Sequence, residues 1–171
     1  MSEQNQEQGA EELFAAGTEH LNAGRFEEAL QAYDKLLAES AEAVASPELQ
    51  NNRGLAFFHL GRLDEAVEGF RTALSLMPDF AIAESNLGLA LLNQKRFEEA
   101  IAPLQRSLQH DPALVEANYN LGLALYRTGR IAEALTAYEA FVANAPDTYH
   151  NYIDGVKAII AQLKKEQIGQ S

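Results

Sequence analysis

Apolar side chains in this chain recur at three- and four-residue steps, segment after segment, the spacing that lines one face of an α-helix. The punctuation between segments is regular too. Gly24, Gly61 and Gly129 follow apolar-periodic stretches where a helix should end, and Lys95 takes the corresponding place once. Pro47 and Pro112 stand where a helix begins, Pro78 and Pro146 just past the end of the previous one. The pattern predicts helices over about residues 10–22, 26–43, 47–60, 63–76, 81–93, 97–109, 114–127, 131–144 and 148–167. Pro103 falls inside the sixth, where it removes a hydrogen bond to Glu99 and predicts a kink.

Three residue types repeat at one interval. Gly54, Gly88 and Gly122 are 34 residues apart, as are Ala66, Ala100 and Ala134, and Pro78, Pro112 and Pro146. An earlier copy begins near Ala10, with Gly17 and Ala29 each 37 residues before Gly54 and Ala66. The three extra residues therefore fall beyond Ala29, and Leu36 to Ala45 predicts a second helix lengthened by nearly one turn. Small residues at the Gly and Ala positions let the two helices of a unit approach, while Phe26, Leu63, Phe97 and Ile131 fill the turn. A single helix pair cannot bury its apolar face alone, so stacking of neighbours supplies the core.

Composition supports an all-α chain: Ala, Leu, Glu and Gln dominate, and strong helix formers run throughout. The absence of Cys excludes disulfides, thiolate metal sites and cysteine nucleophiles. A net charge of −12 repels phosphate backbones and anionic headgroups, so neither nucleic acid nor membrane is expected as a partner. No apolar run approaches the ~20 residues of a membrane span. The polar run from Met1 to Gly9 does not read as an export signal and predicts a disordered tail, which makes cytoplasmic the expected location.

On these residues the chain resembles the tetratricopeptide repeat family, whose pattern is W-x2-L-G-x2-Y, then A-x3-F, then P. The second unit carries Gly54, Phe57, Ala66, Phe70 and Pro78; the third Leu87, Gly88, Ala100 and Pro112; the fourth Leu121, Gly122, Ala134, Tyr138 and Pro146. The Trp position departs, holding Leu13, Gln50, Glu84 and Asn118. The resemblance implies a right-handed superhelical solenoid of four helix-turn-helix units, about 10–46, 47–80, 81–114 and 115–148, with a concave face. The last helix breaks the repeat. Tyr149, Tyr152, Ile153, Val156, Ile159, Ile160 and Leu163 make one apolar stripe, Asp147 and Thr148 are N-cap candidates, and the segment 147–171 reads as a capping helix with a short tail.

No catalytic constellation or cofactor motif is legible. His20, His59, His110 and His150 lie on different segments, and the adjacent pairs Glu11-Glu12, Glu27-Glu28 and Glu98-Glu99 point apart on a helix. A non-enzymatic adaptor needing no metal or cofactor is the expectation, with a protein or peptide as partner. The resemblance implies that first helices line the groove. It places there Asn52, Leu55 and Phe58, then Asn86, Leu89 and Leu92, then Tyr119, Asn120, Leu123, Tyr126 and Arg127. The Asn row could hold an extended peptide backbone, since an amide both donates and accepts. The row Leu55, Leu89, Leu123 offers an apolar strip, or else packs between neighbouring first helices or under the capping helix. The family's clamp for chaperone C-terminal carboxylates is not expected, because its positions hold Phe14, Thr18, Asn52, Ile82 and Asn86. The alternative to an adaptor is a self-assembling scaffold whose groove receives a neighbouring copy, so monomer and homo-oligomer both stay open.

Overall fold

The computed structural model describes residues 3–169. Four helical hairpins follow one another: α1 (Glu3–Asn22) with α2 (Phe26–Glu39), α4 (Pro47–His59) with α5 (Leu63–Leu76), α6 (Ala81–Asn93) with α7 (Phe97–His110), and α8 (Val115–Arg127) with α9 (Ile131–Asn144). A single turn, α3 (Ala41–Val44), separates the first two hairpins, and α10 (His150–Gly169) ends the described chain after a 3-10 turn at Asp147–Tyr149. Each second helix packs against its own first helix and against the first helix of the next unit. First helices α1, α4, α6 and α8 also touch in succession, whereas the second helices do not come comparably close. The stack therefore curves with the first helices inside, and they form its concave face.

The helices of a unit cross where a side chain is missing. A Cβ added at Gly122 would stand 2.6 Å from the ring of Tyr138, and one at Gly54 would stand 2.9 Å from that of Phe70. Gly17 meets Tyr33 and Gly88 meets Leu104 more closely still. In the second unit both helices are bare at the crossing, since a Cβ on Gly69 would lie 2.9 Å from the Cα of Gly54. Ala29, Ala66, Ala100 and Ala134 are fully buried beside these crossings. One apolar core runs the length of the stack, and its largest fully buried side chains include Tyr33, Phe70, Tyr138 and Phe141.

Three expectations are corrected. The second helices of all four units have the same length, 14 residues, so the extra residues after Ala29 do not lengthen α2. Ser40 leaves the helix in an extended conformation, its hydroxyl accepts from Ala43 N–H at 3.3 Å, and Ser46 caps α4 by accepting from Leu49 N–H at 3.1 Å. Those two serines fence off α3 as a turn of its own. The expected disordered tail is helical from Glu3, because its Glu and Gln residues are good helix formers and extend the helix through Gly9; Met1 and Ser2 lie outside the described residues. Asp147 and Thr148 sit within the 3-10 turn and make no side-chain cap bond. Helix α7 runs from Phe97 to His110 as one element through Pro103, which is buried.

Helix α10 lies on α9 and buries Val156 and Leu163, with Ile153, Ile159 and Ile160 half-buried around them. Lys164 Nζ reaches Glu139 at 2.6 Å across the same contact. The last repeat's outer face is thereby covered.

The turn between the helices of a unit needs a residue in the left-handed region: Gly24 (φ 73°), Gly61 (φ 73°) and Gly129 (φ 79°) supply it, but the third unit uses Lys95 (φ 61°). A side chain there costs about 1–2 kcal/mol, against roughly 0.4–1 kcal/mol that Gly adds in unfolded-state entropy. Lys95→Gly should therefore raise stability by about 0.5–1 kcal/mol in denaturant unfolding. At the crossings the opposite holds. Gly122→Ala should lose about 1–3 kcal/mol through overpacking, while Gly155→Ala, which meets nothing within 4 Å, should gain about 0.5–1 kcal/mol from helix propensity. Equal melting shifts for the two substitutions would contradict the close-approach account.

Candidate functional site

All eleven expected groove residues fall on first helices α4, α6 and α8, but they are not equally open. Leu55, Leu89 and Leu123 are half-buried, as are Phe58 and Tyr119, and all of these but Leu89 pack against the core. Tyr126 and Arg127 are exposed. Leu92 and Asn120 are buried, at 7% and 9% exposure, and offer a ligand too little surface to grip. Leu92 is shorter than Phe58 and Tyr126 at the same repeat position, and it sinks beneath the surface they reach.

The amide row behaves differently from the expected open ladder. Asn86 Nδ2 donates to Asn51 Oδ1 at 2.9 Å, from α6 to α4. Asn51, itself buried, donates to Asn52 Oδ1 at 3.4 Å. Asn52 then hydrogen-bonds the Tyr33 hydroxyl of the preceding unit, which also bonds Thr18 Oγ1 at 3.3 Å. Burial pushes the Tyr33 phenol up, and the bonds from Thr18 and Asn52 work against that rise. These amides thus tie consecutive units together, and Asn52 and Asn86 keep only part of their bonding capacity for a ligand.

Aromatic side chains crowd the last unit. Tyr119 lies 6.0 Å from Tyr138 and 5.6 Å from Phe141, and Phe141 meets Tyr149 edge-on at 6.1 Å. Tyr149 donates its hydroxyl hydrogen to Glu116 of α8, which raises its phenol pKa. Arg127 stacks over Phe97 at 4.3 Å, and His59 over Phe26 at 4.5 Å, so both are held against the turns.

Two features escaped the sequence reading. Glu84, in the family's Trp position, is 3% exposed and receives Arg106 of α7 at 2.6 and 3.0 Å. Arg62, Arg96 and Arg130 each precede a second helix and pair with the Glu three residues on, at 2.7, 2.5 and 2.6 Å. The second was legible, since Arg62, Arg96 and Arg130 share the 34-residue period; the first was not, because nothing in the spacing points Arg106 at Glu84. His20 accepts from Arg25 at 2.8 Å, and the ring of His150 is 3.1 Å from the Asp147 carbonyl. Among the described residues no group of three His, Asp or Glu is placed to hold a metal ion, and no helix is long and apolar enough to cross a membrane.

Solved structures similar to this chain include several of MamA. MamA from Desulfovibrio magneticus RS-1, residues 41 to the end, is 24% identical with a TM-score of 0.76 over 94% of each chain. A further MamA crystal structure is 21% identical with a TM-score of 0.73, over 79% of this chain and 77% of that one. The MamA of AMB-1 is 21% identical with a TM-score of 0.71, over 91% and 85% of the two chains. Such identities establish a shared fold. No curated protein matches the sequence. The sequence profile of the tetratricopeptide repeat matches residues 14–79, 68–114 and 86–148. With bare crossings at one interval, hairpins stacked in a single curved row and that profile spanning nearly all of them, the chain belongs to the tetratricopeptide repeat family.

Proposed function

We propose that this chain is a non-catalytic adaptor that holds a peptide or helix of a partner protein in its concave groove. A tetratricopeptide repeat solenoid is a scaffold for protein contacts, and the finer reading rests on one observation: Leu55, Leu89 and Leu123 form a half-open apolar row along the inside of the curve, with exposed Tyr126 at its end. Each leucine keeps an edge uncovered by its neighbours, and a partner that covers those edges gains about 25 cal/mol per Å² of apolar surface removed from water. A partner that lies along the row crosses α4, α6 and α8 in turn, which favours an extended segment or a helix over a globular surface.

Binding and stability should separate by residue. Leu89→Glu places a charge on the open edge of the row; the protein should still fold, with a loss of about 1–2 kcal/mol, and should lose partners recovered by pull-down from native lysate. Retention of every partner by a folded Leu89→Glu protein would place the binding face elsewhere. Asn86→Ala should do the reverse. It leaves the buried Asn51 carbonyl unpaired and should cost about 1–2 kcal/mol in thermal or urea unfolding while partner capture is largely kept.

A further inference from the structure

Carboxylates recur along the groove. Glu11, Glu48, Ile82 and Glu116 share one repeat position, 37, 34 and 34 residues apart, and all four are exposed. The acids of α4 and α8 lie in the first turn of their helices, where the helix dipole favours them. That preference does not account for what surrounds Glu116. The segment that breaks the repeat brings one tyrosine to it and sets a second against that one. Tyr149 donates to the Glu116 carboxylate, and the ring of Tyr152 lies 6.2 Å from that of Tyr149 at 56°. Tyr152 is 65% exposed, the most open large apolar side chain among the described residues. No Lys, Arg or His among the described residues forms an ion pair with Glu116; Lys157 pairs with Asp154 and Lys164 with Glu139.

A carboxylate with one hydroxyl bond made keeps acceptor positions for an ammonium or guanidinium group. The open ring of Tyr152, next to the tyrosine that holds this carboxylate, attracts a cation through its negative face. Arg127, on the same helix as Glu116, is turned onto Phe97 and does not fill the place. The net charge of −12 draws a basic partner in from a distance and repels an acidic one.

We infer that the groove takes a basic segment with apolar residues between its cations, one Lys or Arg lodging at the corner formed by Glu116, Tyr149 and Tyr152. This rests on the groove reading above and adds the partner's chemistry to it. Successive first helices pack at about 10 Å, and an extended chain advances about 3.3 Å per residue, so a partner passes one unit every three residues or so. Glu48 and Glu116 are two units apart and address cations about six residues apart, and the apolar residue midway meets Ile82, which is 49% exposed.

The test uses a fluorescein-labelled peptide of about a dozen residues, with two Lys six apart and Leu between them, titrated by anisotropy against the full chain. The same peptide with both Lys acetylated keeps the length and loses the charge. The Lys peptide should bind about tenfold more tightly than the acetylated one, and Glu116→Gln and Tyr152→Ala should each weaken it about fivefold. Glu68→Gln removes the same charge from an exposed site on α5 and should change binding less than about twofold. Equal binding of the two peptides, or equal effects of Glu116→Gln and Glu68→Gln, would overturn the cation site. If the acetylated peptide still binds and Leu89→Glu abolishes that binding, the groove reading survives without the cation; if neither peptide binds, the basic-partner inference fails.

Discussion

The distance between the two helices of a unit is set by what is missing from the first one. A ring or branched side chain of the second helix, Tyr33, Phe70, Leu104 or Tyr138, fills the volume a Cβ would take at Gly17, Gly54, Gly88 or Gly122. Those four side chains are essentially inaccessible to water, and burial pushes the Tyr138 phenol up to about 12. Once the hairpin closes at this spacing, its outer sides match those of the next hairpin, and the row of contacts follows. The leucines of the concave face lie on the same helices as the glycines, one residue further on, so the crossing also aims them. A side chain added at a crossing would spread the hairpin and turn that row away from its neighbours.

Much of this was written in the spacing of a few residue types. Gly, Ala and Pro at one interval located three of the hairpins, Gly17 and Ala29 at a longer offset located the first, and the core face of the last helix followed from its apolar stripe, with Val156 and Leu163 buried where that stripe predicts. Local chemistry that depends on hydrogen-bond competition was harder to read. Leu36 to Ala45 is rich in helix formers and reads as one helix, yet the hydroxyls of Ser40 and Ser46 divide it. The polar start reads as disorder by composition, and the same Glu and Gln residues continue α1. In the groove, periodicity located Asn52, Asn86 and Asn120 but could not say which partners they take, because the bond from Asn86 to Asn51 is set by how α6 packs on α4.

The polar contacts divide into two kinds by the work they do. The Arg–Glu pairs at the starts of the second helices are exposed and local, three residues apart, and add little to stability individually. The bonds from Asn86 to Asn51 and from Arg106 to Glu84 each close a seam between two helices, and each involves a buried member. A misplaced register would leave that buried amide or carboxylate without its partner, at the full desolvation cost. The apolar surfaces of repeated units are nearly alike, so these dissimilar polar contacts distinguish one pair of packed helices from another.

The turn α3 shows where such a chain tolerates change. Three residues have been accommodated between the first and second hairpins without altering the length of either second helix, because the segment from Ser40 to Ser46 lies at a joint and not inside a packed pair. A hairpin with its crossing is therefore the smallest piece of this protein that can be exchanged as a whole. Recombination or grafting that cuts at this joint would carry an intact pair into a new array, whereas a cut inside any hairpin would separate a glycine from the side chain that occupies its place.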